Sequence, residues 1–261
     1  MLYNKFIFKS THHQIFKLKY VFKELLTISE YPNLSLLSKS TFAEKTGSLF
    51  KTYGLIFIAI ILIVPLILAT DQFVTHVLHF KAINHVQTDE MSHFFHKLGY
   101  WKAALYVCLL GPILEETVFR LPLSLKKSHI ALAFATAAFL FSGLLLRHIT
   151  TPLLNIGIKL SLSAIVYFIC IFIVPNGLSI IDQRFRKQLI ILSMCLFGLM
   201  HISNYSPIQW PLIWLYPIYV IPQLFMGWGI TYIRFKNGFW WGFALHCIIN
   251  SVSVLLASGH L

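Results

Sequence analysis

The chain has 261 residues, 57% of them hydrophobic and only 11% charged. An ordinary soluble domain is roughly one-quarter charged, so this composition excludes a soluble globular protein and points to an integral membrane protein. The formal net charge of +12 does not indicate nucleic acid: the basic residues gather in the first 52 positions and in short connections between apolar runs, which is the signature of membrane topology, and no nucleic-acid-binding motif accompanies them.

Residues 1–52 form a basic tail with eight lysines by Lys51, and the tail is expected to stay cytoplasmic. Within it Ile15, Leu18, Phe22, Leu25 and Leu26 make an imperfect amphipathic stretch suited to lying on a membrane surface. No cleavable signal peptide is apparent, so the first apolar span is expected to act as its own insertion signal. From residue 53 to 261 the reading is a single all-α domain, a polytopic transmembrane bundle of about seven spans. They are placed at Tyr53–Ala69, Tyr100–Leu125, Ile130–Leu146, Leu153–Val174, Leu189–Tyr205, Leu212–Ile233 and Phe239–Ala257.

With the tail cytoplasmic, Lys126, Lys127, Arg184, Arg186, Lys187, Arg234 and Lys236 fall on the same side, which predicts the N-terminus inside and the C-terminus outside. The polar connection Thr70–Gly99 carries His76, His79, His85, His93 and His96. Its His-x-x-His spacings suit a metal, but a solvated or interfacial helix explains them more simply. All four cysteines, Cys108, Cys170, Cys195 and Cys247, lie in apolar runs and read as small packing residues. No internal repeat relates the two halves, which argues against an inverted-repeat transporter.

Of the nine acidic residues, only Glu115 and Glu116 lie well inside an expected span. An ionisable group at mid-membrane costs on the order of 3 kcal/mol, so each needs a partner or a function. Glu116 and Arg120 are four residues apart with the acid first, the favourable order for a same-face helical pair. Glu115, rotated by about 100° from its neighbour, cannot share that arginine equally and has Gly111 and Phe119 at its own i−4 and i+4 positions. Something outside the segment should face it. Pro112 implies that the helix either kinks or begins just before the two acids.

Two later spans offer partners: His201, one turn after Phe197, and His246, which shares a helical face with Asn250. A carboxylate, two imidazoles and an amide around a wet cavity have the parts for water activation and oxyanion stabilisation, the chemistry of peptide hydrolysis.

In order and on separate spans, Glu115-Glu116-x-x-x-Arg120, Phe197-x-x-x-His201 and His246-x-x-x-Asn250 resemble the three motifs of the CPBP intramembrane proteases. That family includes the CAAX prenyl endopeptidases of Ras-converting type, bacteriocin-processing proteins and abortive-infection (Abi) proteins. The resemblance covers about residues 100–258, although the interval from the glutamates to His201 is longer than usual and leaves room for two spans. It implies an intramembrane endopeptidase acting on membrane-associated substrates of CAAX or leader-peptide type. Glu115 would be the general base, His201 would position the water, and His246 with Asn250 would hold the oxyanion; Glu116, Arg120 and Phe197 would support them. Much usage calls the family metalloproteases, and Glu115, His201 and His246 could make a zinc set; resemblance to the prenyl endopeptidases implies instead water activation without a tightly held ion.

Other intramembrane protease chemistries lack their residues. There is no His-Glu-x-x-His, no aspartate inside an expected span and no Gly-x-Ser-Gly. Two rival readings use the same groups differently: a proton-coupled transporter or channel with Glu115, His201 and His246 as a relay, or an idle peptide-binding immunity protein. The expected partners are the bilayer and a peptide or membrane-protein substrate, and the expected location is a cell membrane, with a bacterial inner membrane favoured.

Overall fold

The computed structural model describes residues 40–146, 148–178 and 183–257, and every element among them is helical. The amphipathic stretch expected near Ile15–Leu26 lies outside the described residues. The described chain divides into two compact units, residues 40–90 with 198–245 and residues 91–197 with 246–257.

The first unit opens with α1, Phe42–His76. Its start is set by a capping box: the Glu44 N–H donates to Thr41 Oγ1 at 3.3 Å, and the Thr41 N–H donates back to the Glu44 carboxylate at 2.8 Å. The helix thus begins eleven residues before the span expected from Tyr53, and it runs on through Thr70–His76, the start of the expected polar connection. At 1.5 Å per residue its 35 residues reach about 52 Å, well beyond a hydrocarbon core of about 30 Å. α2, Ile83–Leu98, carries most of the histidines of the expected polar connection and runs from the first unit into the second. Within the first unit its first turn is held by Asp71 of α1, whose carboxylate accepts from the Ile83 N–H at 3.0 Å and from the Tyr219 hydroxyl at 2.6 Å. Val74, Ile83, Tyr205, Leu212, Leu215, Tyr216, Tyr219 and Val220 form the buried core around that anchor.

The expected span Leu212–Ile233 is not one straight helix. A 3-10 helix, Trp210–Leu215, and a short α8, Tyr216–Tyr219, meet α9, Ile221–Asn237, at a bend of 40°. Pro222 explains the break: it has no N–H to donate back along the helix, and its ring disfavours helical geometry in the residue before it. α9 packs on α1 where Gly229 has no side chain, against the buried Thr52 and Ile56.

The second unit contains one continuous helical run, Tyr100–Ser124, whose winding changes repeatedly. α3 (Tyr100–Leu105) passes into a π turn (Tyr106–Leu110), then α4 (Gly111–Glu115), a second π turn (Glu116–Arg120) and a closing 3-10 turn (Leu121–Ser124). The chain therefore neither starts nor stops at Pro112; it widens the preceding turn instead. α5 (Lys127–Leu145) and α6 (Pro152–Ile173) follow as a hairpin sealed through buried alanines, with Ser163 Oγ donating to the Ala135 carbonyl at 2.7 Å. α7 (Gln183–Met200) and α10 (Phe239–Ala257) each contribute to both units. Val254 of α10 packs with Phe95 and Ala103 in the core of the second.

Among the described residues four stretches are long and apolar enough to cross a membrane: Phe42–His76, Pro152–Ile173, Phe185–Tyr205 and Phe239–Ala257. The bent pair Trp210–Tyr219 and Ile221–Asn237 raises the number to five. The protein is an all-helical, multi-pass membrane protein. Each of the seven expected spans overlaps helical structure, but seven independent crossings exceed that number.

Candidate active site

The site is built on the second π turn. Glu116 and Arg120 are both fully buried, and Arg120 Nη1 lies 3.2 Å from Glu116 Oε1, the pair their spacing predicts. The guanidinium also sits over the ring of Phe197, 3.7 Å from its centroid, so the cation has a carboxylate on one side and an aromatic face on another. Phe197 is itself fully buried on α7 and meets Phe119 and His246 edge-on, with centroids 5.8 Å and 5.7 Å away.

His246, on α10, closes the cluster. Its Nδ1 lies 3.0 Å from Glu116 Oε1 and its Nε2 3.7 Å from Glu115 Oε2. Glu116, ionised against Arg120, can only accept, so the proton of this contact resides on Nδ1 and the imidazole is fixed with its Nε2 edge toward Glu115. Glu115 thus meets a partner from another element, as its rotation away from Arg120 requires. With 22% of its side chain exposed it is the accessible member of the group, while Glu116 and His246 are sealed at 0% and 1%. Glu116 holds two partners at once, Arg120 and His246, where the sequence assigned it only the arginine.

Room beside Glu115 comes from Gly111, one turn earlier: a Cβ there would stand 4.0 Å from Glu115 Oε1 and 3.2 Å from the Tyr106 carbonyl. The run is tied to α7 by Ser193, whose hydroxyl donates to the Phe119 carbonyl where π winding gives way to 3-10. Nothing in the spacing of Ser193 marks it beforehand, since it is one small polar residue in an apolar helix. Asn250, one turn after His246, donates from Nδ2 to the Val107 carbonyl at 2.9 Å, a contact absent from the sequence reading.

The structure therefore brings together Glu115, Glu116, Arg120, Phe197 and His246, with Asn250 on the same helix as His246. His201 opens a 3-10 helix, His201–Tyr205, and is half-buried in the first unit. Among the described residues no three His, Cys, Asp or Glu side chains converge as a metal site, and no step below passes through a metal. The same holds for the histidines of α2. There Asp89 is bound by Lys81 Nζ at 2.6 Å, which holds its carboxyl below the usual carboxylate range, and His85 Nδ1 lies 3.4 Å away.

The family described as "Type II CAAX prenyl endopeptidase Rce1-like" matches residues 97–252, well over half of the chain and the whole of the Glu115–Asn250 constellation. No curated protein and no solved structure matches the chain.

Proposed function

We propose, because this chain belongs to the type II CAAX prenyl endopeptidase Rce1-like family and is a membrane-embedded protease, that Glu115 and His246 hydrolyse peptide bonds of membrane-associated substrates through an activated water. The observation that carries the reading is the placement of a partly accessible carboxylate, Glu115, beside an imidazole locked by a second, buried carboxylate.

The Glu115 Oε2 to His246 Nε2 separation of 3.7 Å is beyond a direct hydrogen bond, and one water at about 2.8 Å from each can touch both. Glu115 takes a proton from that water, and the resulting hydroxide adds to the substrate carbonyl. His246, carrying a proton on Nε2 as well as the one that Nδ1 donates to Glu116, and the Asn250 amide stabilise the oxyanion. The C–N bond then breaks, and the departing amine takes the proton held by Glu115, so one water is consumed and Glu115 returns to its starting form. General acid–base transfer of this kind supplies typically 10²–10⁴ in rate and an oxyanion donor about 10²–10³. Glu116, Arg120 and Phe197 hold the imidazole and its charge balance. The role given to His201, positioning the water, rests on its place in Phe197-x-x-x-His201 alone.

The substrate class is a peptide whose end is anchored in the bilayer, of CAAX or leader type. The chain is placed in a cell membrane with its basic N-terminus cytoplasmic, crossing seven times if the run Tyr100–Ser124 and α5 are counted as crossings. A proteomic comparison of cells carrying wild type or Glu115→Ala tests the reading. Membrane proteins whose processed C-terminal or leader forms change between the two support it; identical processing refutes it.

A further inference from the structure

The carbonyl of Val107 sits where the helix cannot serve it. In an α-helix it would accept from the N–H of residue 111, but the π turn sends the Gly111 N–H to the Tyr106 carbonyl instead. The i+5 donor that continued π winding would supply is residue 112, a buried proline without an N–H. Widening the turn and placing proline after it therefore frees one carbonyl inside an apolar bundle, where such a group left alone is costly. The Asn250 amide meets it, Nδ2 to O at 2.9 Å. A carbonyl only accepts, so it decides which end of the amide faces it: Nδ2 must point at Val107, and the second hydrogen of that nitrogen and the orientation of Oδ1 are fixed with it. Asn250 is four residues from His246 on one helical face, so the same bond sets α10, with its imidazole, in register against the run that carries Glu115.

We infer that Pro112 and the Val107 carbonyl are positioning elements of the site: by withholding helical donors from that carbonyl they fix the orientation of the Asn250 amide, one turn from His246 on α10. For catalysis this rests on the hydrolase reading above; the hydrogen-bond geometry does not. Pro112→Ala returns an N–H at position 112 that competes for the Val107 carbonyl and releases Asn250.

The test is a double-mutant cycle on the full-length protein in detergent or liposomes, with Pro112→Ala, Asn250→Ala and both, read by melting temperature and by kcat and KM on a lipidated peptide. The expected result is coupling. Asn250→Ala lowers the melting temperature in the wild-type background, and that drop shrinks when residue 112 can serve the carbonyl. Pro112→Ala alone lowers kcat between about tenfold and a hundredfold with KM little changed, yet adds no further loss to Asn250→Ala. Additive melting shifts, or equal kcat losses from Pro112→Ala in both backgrounds, overturn the inference. A wild type inactive on every lipidated peptide removes the hydrolase reading, while the melting cycle still decides whether Val107 holds Asn250. Should Pro112→Ala not fold, Pro112→Ser, which also carries an N–H, takes its place in the cycle.

Discussion

Glu116 Oε1 stands 3.0 Å from Nδ1 of His246, across 130 residues of sequence, while also lying 3.2 Å from Arg120 Nη1. A carboxylate shared between a guanidinium and an imidazole, all buried, converts a pairing that would merely keep a charge in the membrane into one that orients the histidine beside Glu115. Supporting and reacting groups are therefore one connected network, and disturbing the first should be felt at the second.

Glu116→Gln takes from the buried Arg120 guanidinium the carboxylate 3.2 Å from its Nη1. Breaking one side of a buried pair costs about 3–5 kcal/mol, so thermal melting in detergent should show a large loss, and kcat should fall with it because His246 is no longer held. The double replacement Glu116→Gln with Arg120→Met should be more stable than Glu116→Gln alone, since it removes the buried cation along with the carboxylate that faces it.

Phe197→Leu keeps the apolar volume but removes the face under Arg120 and the edge contacts to Phe119 and His246. A desolvated cation–π contact is worth about 2 kcal/mol and each aromatic pair about 0.5–1.5 kcal/mol, so a loss of roughly 3–5 kcal/mol is expected by melting. Phe197→Tyr, which keeps the face but must bury a hydroxyl, should also destabilise.

Gly229→Ala places a Cβ on the Ile56 side chain, with Thr52 Cγ2 at 3.1 Å behind it, and so forces α9 from α1. Overpacking of this kind costs about 1–3 kcal/mol. Adding Ile56→Ala should restore much of the loss, which a melting comparison of the single and double variants checks.

Activity should survive prolonged treatment with a strong zinc chelator. In the proposed mechanism Glu115 carries the proton of the attacking water and His246 with Asn250 meets the oxyanion, so no step calls for an ion. Loss of cleavage on chelation, restored by added zinc, would show that a metal is required after all.

What the sequence made legible is local. The Glu116–Arg120 pair follows from a spacing of four, and the need for an outside partner to Glu115 follows from its rotation on the same helix; His246 meets that need. The capping box Thr41–Glu44 was also written in the sequence and would have placed the start of α1 at Phe42. The break near Val220 could have been read from Pro222. What could not be read depends on packing between distant segments or on winding that leaves no residue pattern. The reach of Glu116 to His246, the Ser193 hydroxyl on Phe119 and the Asn250 amide on Val107 all depend on how α7 and α10 lie against Tyr100–Ser124. Pro112 signalled a disturbance but not its form, because a proline can be absorbed by a kink, a helix start or a widened turn.

The central claim is that Glu115 activates water beside His246. Its most direct test is cleavage of a farnesylated peptide with a CAAX-type end by purified, liposome-reconstituted wild type and Glu115→Gln, with products identified by mass spectrometry and melting measured on the same samples. The account predicts that the wild type releases the terminal peptide and that Glu115→Gln is slower by about a hundredfold or more while melting within a few degrees of it. Cleavage by Glu115→Gln at the wild-type rate would contradict it.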